Sequence, residues 1–136
     1  MIIPFELYHL DMMRLPPAEA VTVAHLEALV RLSQAGWVRT IVTDRGESGV
    51  EILGIAGVAP QANGTGEVFV VKAAGPSRVE FAKGVRQLLD QAKRHFATIR
   101  ALGAEGDPAI ERWLSWLGFH QSGKVEGTNM ILWRLA

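Results

Sequence analysis

Arg78 and Lys83 stand just inside a helix that Ser77 opens, so the segment from Ala73 to Val85 brings positive charge to a helix N-terminus. Backbone N–H groups and cations placed together in this way are the chemistry of phosphate binding. The same residues also carry the opposing chemistry. Ser77 can accept from the N–H of Glu80 while Glu80 reaches back to the N–H of Ser77, a capping box, with Pro76 and Phe81 at the flanking hydrophobic-staple positions. Such a start satisfies its own donors and sets a carboxylate where an anion would otherwise rest. Arg86, Lys93 and Arg94 extend the positive charge along the helix. Taken alone, that run is the solvated face of an amphipathic helix, with a phosphate or nucleic-acid contact as the alternative.

Glu67 is the second candidate. It opens a strand beside Gly64-Thr65-Gly66, where an acid on its own reads as a turn residue. The four histidines, His9, His25, His95 and His120, show no i, i+4 or clustered spacing, so a metal site is not expected. The chain has no cysteine, which removes disulfides, thiolate nucleophiles and thiolate metal ligands together and fits an intracellular setting.

The elements that must position these groups follow from periodicity. Residues 2 to 8 suit an opening strand that Pro4 confines to an edge. Pro16-Pro17, then Ala18 to Ala35, then Gly36 reads as a helix with proline near its start and glycine past its end, and His25 lies on or near its apolar face. From Trp37 to Thr43 the period becomes two. Val50 to Ala59 and Glu67 to Lys72 continue it, making an antiparallel meander of three strands across two turns. Gly54 and Gly57 within the second strand point to a bulge or a close backbone approach. Ser77 to about Phe96 is a long amphipathic helix, and Ala97 to Leu102 a short strand after it, which such a crossover makes parallel to the strand before it. Asp107-Pro108 and Gly118 bound a late helix whose Ile110, Trp113, Leu114 and Leu117 share one face. Trp116 lies off that face. Phe119 to Lys124 and Thr128 to Leu135 close the chain as a hairpin, with Trp133 packing in its second strand.

This order, and above all the capped late helix followed by Gly118-Phe119 opening a strand, resembles the GNAT acyltransferases. The order contains one helix where that family generally has two, between the first and second strands. The resemblance implies an α/β fold with a mixed, mostly antiparallel sheet, a central parallel strand pair that splays near residue 72, and helices on both faces. It also implies an acyl-CoA site, with acetyl-CoA as the simplest donor, held by backbone groups of Val70, Val71, Lys72 and Ala73 and by the helix start at Gly75, Ser77 and Arg78. Glu67 then takes the position of the carboxylate that removes the amine proton. Two departures accompany it. The family's phosphate loop, [Arg/Gln]-x-x-Gly-x-[Gly/Ala], finds no register here with two correctly placed glycines, and Leu114 stands where the family usually carries a tyrosine acid. Acetyl-CoA is therefore expected to bind weakly or not at all. The chain is also similar to small GNAT-like proteins of tailed bacteriophages, which include internal virion proteins, through a basic helix with interspersed Phe and a capped helix ending in Leu-x-x-[Leu/Ile]-Gly.

At 136 residues and 49% apolar the chain fits one domain, residues 1–136, with a sizeable core. Fourteen basic residues balance fourteen acidic ones, so no global field recruits nucleic acid or an anionic membrane. Residues 1 to 8 carry no basic leader and no apolar run approaches a membrane span, so the expected state is soluble and cytoplasmic, or virion-associated if phage-encoded. The functional expectation is an acyl-CoA-dependent N-acyltransferase homologue lacking the usual acid. Its alternative is a non-catalytic GNAT-like structural or binding protein with an unknown protein partner.

Overall fold

The computed structural model of the chain describes residues 1–6, 8–13, 31, 37–73 and 78–135. The helix expected over Ala18 to Ala35 falls outside them except for Arg31, as do Gly75 and Ser77. Strand β1 (Ile2–Pro4) precedes helix α1 (Tyr8–Met12), and β2 (Val38–Asp44), β3 (Val50–Pro60) and β4 (Thr65–Lys72) form the meander. Helix α2 (Arg78–Ala92), β5 (Thr98–Ala104), helix α3 (Pro108–Leu117), β6 (Phe119–Lys124) and β7 (Met130–Leu135) complete the described elements.

The strands form one sheet in the order β1-β2-β3-β4-β5-β7-β6, antiparallel throughout except for the β4–β5 pair. Strand β3 is buried without interruption from Ile52 to Val58 because it is covered on both faces. Its bulge makes that possible: Ile41 pairs with Gly54 but Val42 pairs with Ile52, so Leu53 is the extra residue and the inward phase switches there. On one face Val85, Leu88, Leu89 and Ala92 of α2 and Leu114 and Leu117 of α3 pack on Ile41, Ala56, Val58, Ile99, Ala101 and Trp133. On the other, Phe5, Met13 and Leu10 of the α1 region cover Val38, Val42, Ile52 and Ile55. Helices thus lie on both faces, as expected.

Both glycines singled out in β3 mark close approaches. A Cβ on Gly54 would meet the Phe81 ring and stand 2.6 Å from the Val71 carbonyl, and one on Gly57 would meet the Phe69 ring. The late helix carries both of its expected ends. Asp107 Oδ1 accepts from Ala109 N at 3.1 Å and Ile110 N at 3.2 Å, and Gly118 adopts the left-handed conformation at φ 100°.

Three differences from expectation bear on the site. The first strand ends at Pro4, because Glu6 N donates to His9 Nδ1 at 3.0 Å and Glu6 O accepts from His9 N, which starts a helix instead. Helix α2 stops at Ala92, four residues before Phe96. There the Phe96 ring meets Trp37 edge-on at 5.1 Å and Ala97 N donates to Gly64 O, which turns the chain into β5. The third is the splay: β4 and β5 pair only at Thr65↔Thr98, Gly66↔Ile99 and Glu67↔Arg100, so they part after residue 67 and not near residue 72. None of the described helices is long and apolar enough to cross a membrane.

Candidate active site

Where β4 and β5 part, a cleft of about 560 Å³ opens. Val68, Phe69 and Val70 of β4 line it with Ala101 and Leu102 of β5, Phe81 of α2, and Ala109, Ile110, Trp113 and Leu114 of α3. Residues from both faces of each strand contribute, as an opening between strands requires. Among the described lining residues Lys72 and Arg78 bring the only charges, both positive. A largely apolar cleft of this size with a few polar groups has the form of a small-molecule site.

Backbone alternation decides which main-chain groups reach it. Ala73 N donates to Leu53 O at 2.9 Å, so the odd-numbered residues of β4 turn their N–H and C=O toward β3. Val70 and Lys72 therefore direct theirs toward β5, which offers no ladder partner beyond Arg100. Of the four backbone positions expected to hold a cofactor, Val70 and Lys72 present groups to the cleft. Val71 and Ala73 are turned toward β3, Val71 packs on the α1 face, and the Ala73 carbonyl accepts from Lys72 Nζ at 2.9 Å. Arg78 lines the cleft at the start of α2. Gly75 and Ser77 lie outside the described residues, so of the capping box only Glu80 can be placed: its Oε1 accepts from Arg45 Nη1 at 3.5 Å.

Glu67 stands at the last shared register pair, at the root of the cleft and on the face opposite α2 and α3. Its Oε1 accepts from Arg100 Nε at 3.1 Å, with the two side chains 29% and 36% exposed. Arg100 was not singled out by sequence reasoning. The signal for it is the parallel register, which pattern alone does not supply. Leu114 is buried and lines the cleft. No hydroxyl, thiol, imidazole or carboxylate side chain is among the described lining residues, and the chain's single tyrosine, Tyr8, is on α1 at 59% exposure. Among the described residues no three His, Asp or Glu side chains gather as a metal site would require.

His9 and Thr40 are the buried polar residues among those described. His9 Nδ1 accepts the Glu6 N–H and lies 2.7 Å from Thr40 Oγ1, which leaves Nε2 as the protonated nitrogen. Burial lowers its pKa from 6.5, against a smaller opposing pull from Glu6.

The parting of one central parallel pair, with main-chain groups aimed into the gap, decides the comparison with known folds. The fold is that of the GNAT acetyltransferases. An acetyltransferase from Agrobacterium tumefaciens superposes with a TM-score of 0.76 at 14% identity, over 99% of this chain and 89% of that one. A protein described as a GnaT-family acetyltransferase from Bordetella pertussis gives 0.70 at 21% identity, over 99% and 94%. The NatC complex solved with Gag peptide and CoA gives 0.71 at 12% identity, over 99% and 96%. No protein-family model and no curated protein sequence matches the chain.

Proposed function

We propose that the chain is a GNAT-type, acyl-CoA-dependent N-acyltransferase that works without a side-chain acid. The observation that carries this is the cleft opening after Glu67↔Arg100, with the Val70 and Lys72 main-chain groups directed into it. Its apolar walls suit a pantetheine-like arm, and Lys72 and Arg78 suit the phosphates of the same molecule. When bound, acyl-CoA supplies an activated thioester carbonyl. Glu67, on the opposite face of the strand gap, takes the proton that an acceptor amine must lose, directly or through one water. The described lining residues carry no O–H or S–H group, and in this reading solvent returns the proton that the leaving sulfur needs. A positioned acid contributes about 10²- to 10⁴-fold, and turnover is expected to be slow by that factor.

A second reading, a non-catalytic GNAT-like binding or structural protein, is favoured by one observation: Leu114, which the resemblance sets at the position of the family's acid, is buried. Its phage-encoded form rests on the helix spacings alone. Titration calorimetry with acetyl-CoA separates the two. The acyltransferase reading expects a Kd of roughly 0.1–1 mM, the weak end of the usual substrate range, and slow acetylation of a primary amine that Glu67→Gln lowers by about 100-fold or more. Absence of binding at millimolar acetyl-CoA leaves the non-catalytic reading.

A further inference from the structure

The sheet face opposite α2 and α3 carries a row of four polar side chains set by register. Glu67 partners Arg100 across β4 and β5, Arg100 partners Arg134 across β5 and β7, and His120 partners Arg134 across β6 and β7. Register partners point to the same face. Their chain neighbours fix which face: Ile99, Ala101, Trp133 and Phe119 all belong to the core beneath α2 and α3.

Arginines directly opposite one another on adjacent strands repel. Glu67 offsets Arg100 through a single bond to Nε, whereas exposed Arg134 makes no ion pair or side-chain hydrogen bond among the described residues. The two guanidinium charges of Arg100 and Arg134 against the one carboxylate of Glu67 leave one positive charge in excess. A monoanion matches it. Beside the row on the same face Leu102 and Leu132 are also register partners, and Leu102 is 43% exposed, so apolar surface borders the charge.

We propose that this row is an acceptor site for a small primary amine that also carries a carboxylate. The amine lies at Glu67, where the cleft opens, and the carboxylate is held by Arg134 with the Nη groups of Arg100. Two strand spacings separate Glu67 from Arg134, about 9–10 Å, which suits an acceptor whose amine and carboxylate are several bonds apart. Its methylenes rest against Leu102 and Leu132. The fate of the amine rests on the acyltransferase reading, but recognition of the carboxylate does not.

The test is titration calorimetry of the full chain with 6-aminohexanoate and with hexylamine, which share the amine and chain length and differ in the carboxylate. The wild type should bind 6-aminohexanoate at least about tenfold tighter, since a guanidinium–carboxylate pair is among the stronger hydrogen-bonded contacts. Arg134→Ala should bring the two ligands level without shifting the thermal unfolding midpoint, and Arg134→Lys should restore part of the preference. Equal affinity of the wild type for both, no heat from either, or a preference that survives Arg134→Ala overturns the proposal. Acetyl-CoA titrated into the same samples keeps the two ideas apart. Its binding without a carboxylate preference removes only the acceptor site, and a carboxylate preference without acetyl-CoA binding removes only the acyltransferase reading.

Discussion

Arg100 Nε donates to Glu67 Oε1 at 3.1 Å at the last register pair that β4 and β5 share. The ion pair closes the ladder where the cleft begins. With both side chains about one third exposed it contributes on the order of 0–1 kcal/mol to folding. Stability is thus a weak reason for a carboxylate at this position, which leaves room for the proton-accepting role proposed above.

Glu67→Gln should accordingly change the unfolding free energy by less than about 1 kcal/mol while lowering amine acetylation by about 100-fold or more. Denaturant unfolding beside a transfer assay measures both. A large stability loss with activity retained would make Glu67 a structural residue.

Leu114 is 3% exposed, and its Cδ1 lies 3.3 Å from where a Cβ on Gly103 would stand. Truncation leaves a cavity on the wall of the cleft. Leu114→Ala is expected to cost roughly 2–4 kcal/mol, read from the midpoint of chemical unfolding. A loss below about 0.5 kcal/mol would mean that the cleft already admits water at this wall.

Gly84 sets helix propensity against packing. Alanine is favoured over glycine inside a helix by about 1 kcal/mol, but a Cβ at Gly84 would drive into the Ile41 side chain, which is wholly buried. Overpacking of that kind costs about 1–3 kcal/mol, so Gly84→Ala should be net destabilising. A higher melting temperature for the variant would show that Ile41 can give way.

The contrast between Leu114 and Arg100 shows what the sequence made legible. The 3.6-residue period of the late helix, bounded by Asp107 and Gly118, fixes Leu114 on the buried face without any knowledge of its partners. The parallel pairing of β4 with β5 was legible too, because a helical crossover allows little else. The point of parting was not. It depends on the β4–β5 register, a non-local quantity, and with it went Arg100 and the row that continues through Arg134 to His120. The insertion of β7 between β5 and β6 was also unread, since a hairpin can add to a sheet by either strand. His9 was missed for a different reason: only the tertiary contact with Thr40 reveals that it is buried.

His9 predicts a pH dependence whose sign follows from its lowered pKa. The folded state holds the imidazole neutral below 6.5, where the unfolded chain already binds the proton, so unfolding takes up a proton in that window. The contribution is fully present above about pH 6.5 and is lost as pH falls, by at most about 1.4 kcal/mol per pH unit. His9→Asn, whose Oδ1 can replace Nδ1 as acceptor for Glu6 N and Thr40, should flatten the stability profile between pH 7.5 and 5.5. Parallel profiles for the two proteins would show that His9 titrates alike in the folded and unfolded chains.

Glu80 lies two residues beyond Arg78, in the first turn of α2, and its one described partner, Arg45, is shared with Glu51 at 2.7 Å. A carboxylate there favours the helix dipole by about 0.3–1 kcal/mol and repels a phosphate that would use the same end. Glu80→Gln keeps the reach of the side chain and removes its charge. It should cost less than about 1 kcal/mol in denaturant unfolding and tighten acetyl-CoA binding by roughly two- to fivefold at low salt. The gain should shrink as ionic strength rises, because both charges are exposed and screened over about 10 Å at 0.1 M. Unchanged affinity at every salt concentration would place the phosphates elsewhere, and Lys72 alone would then be left to meet them.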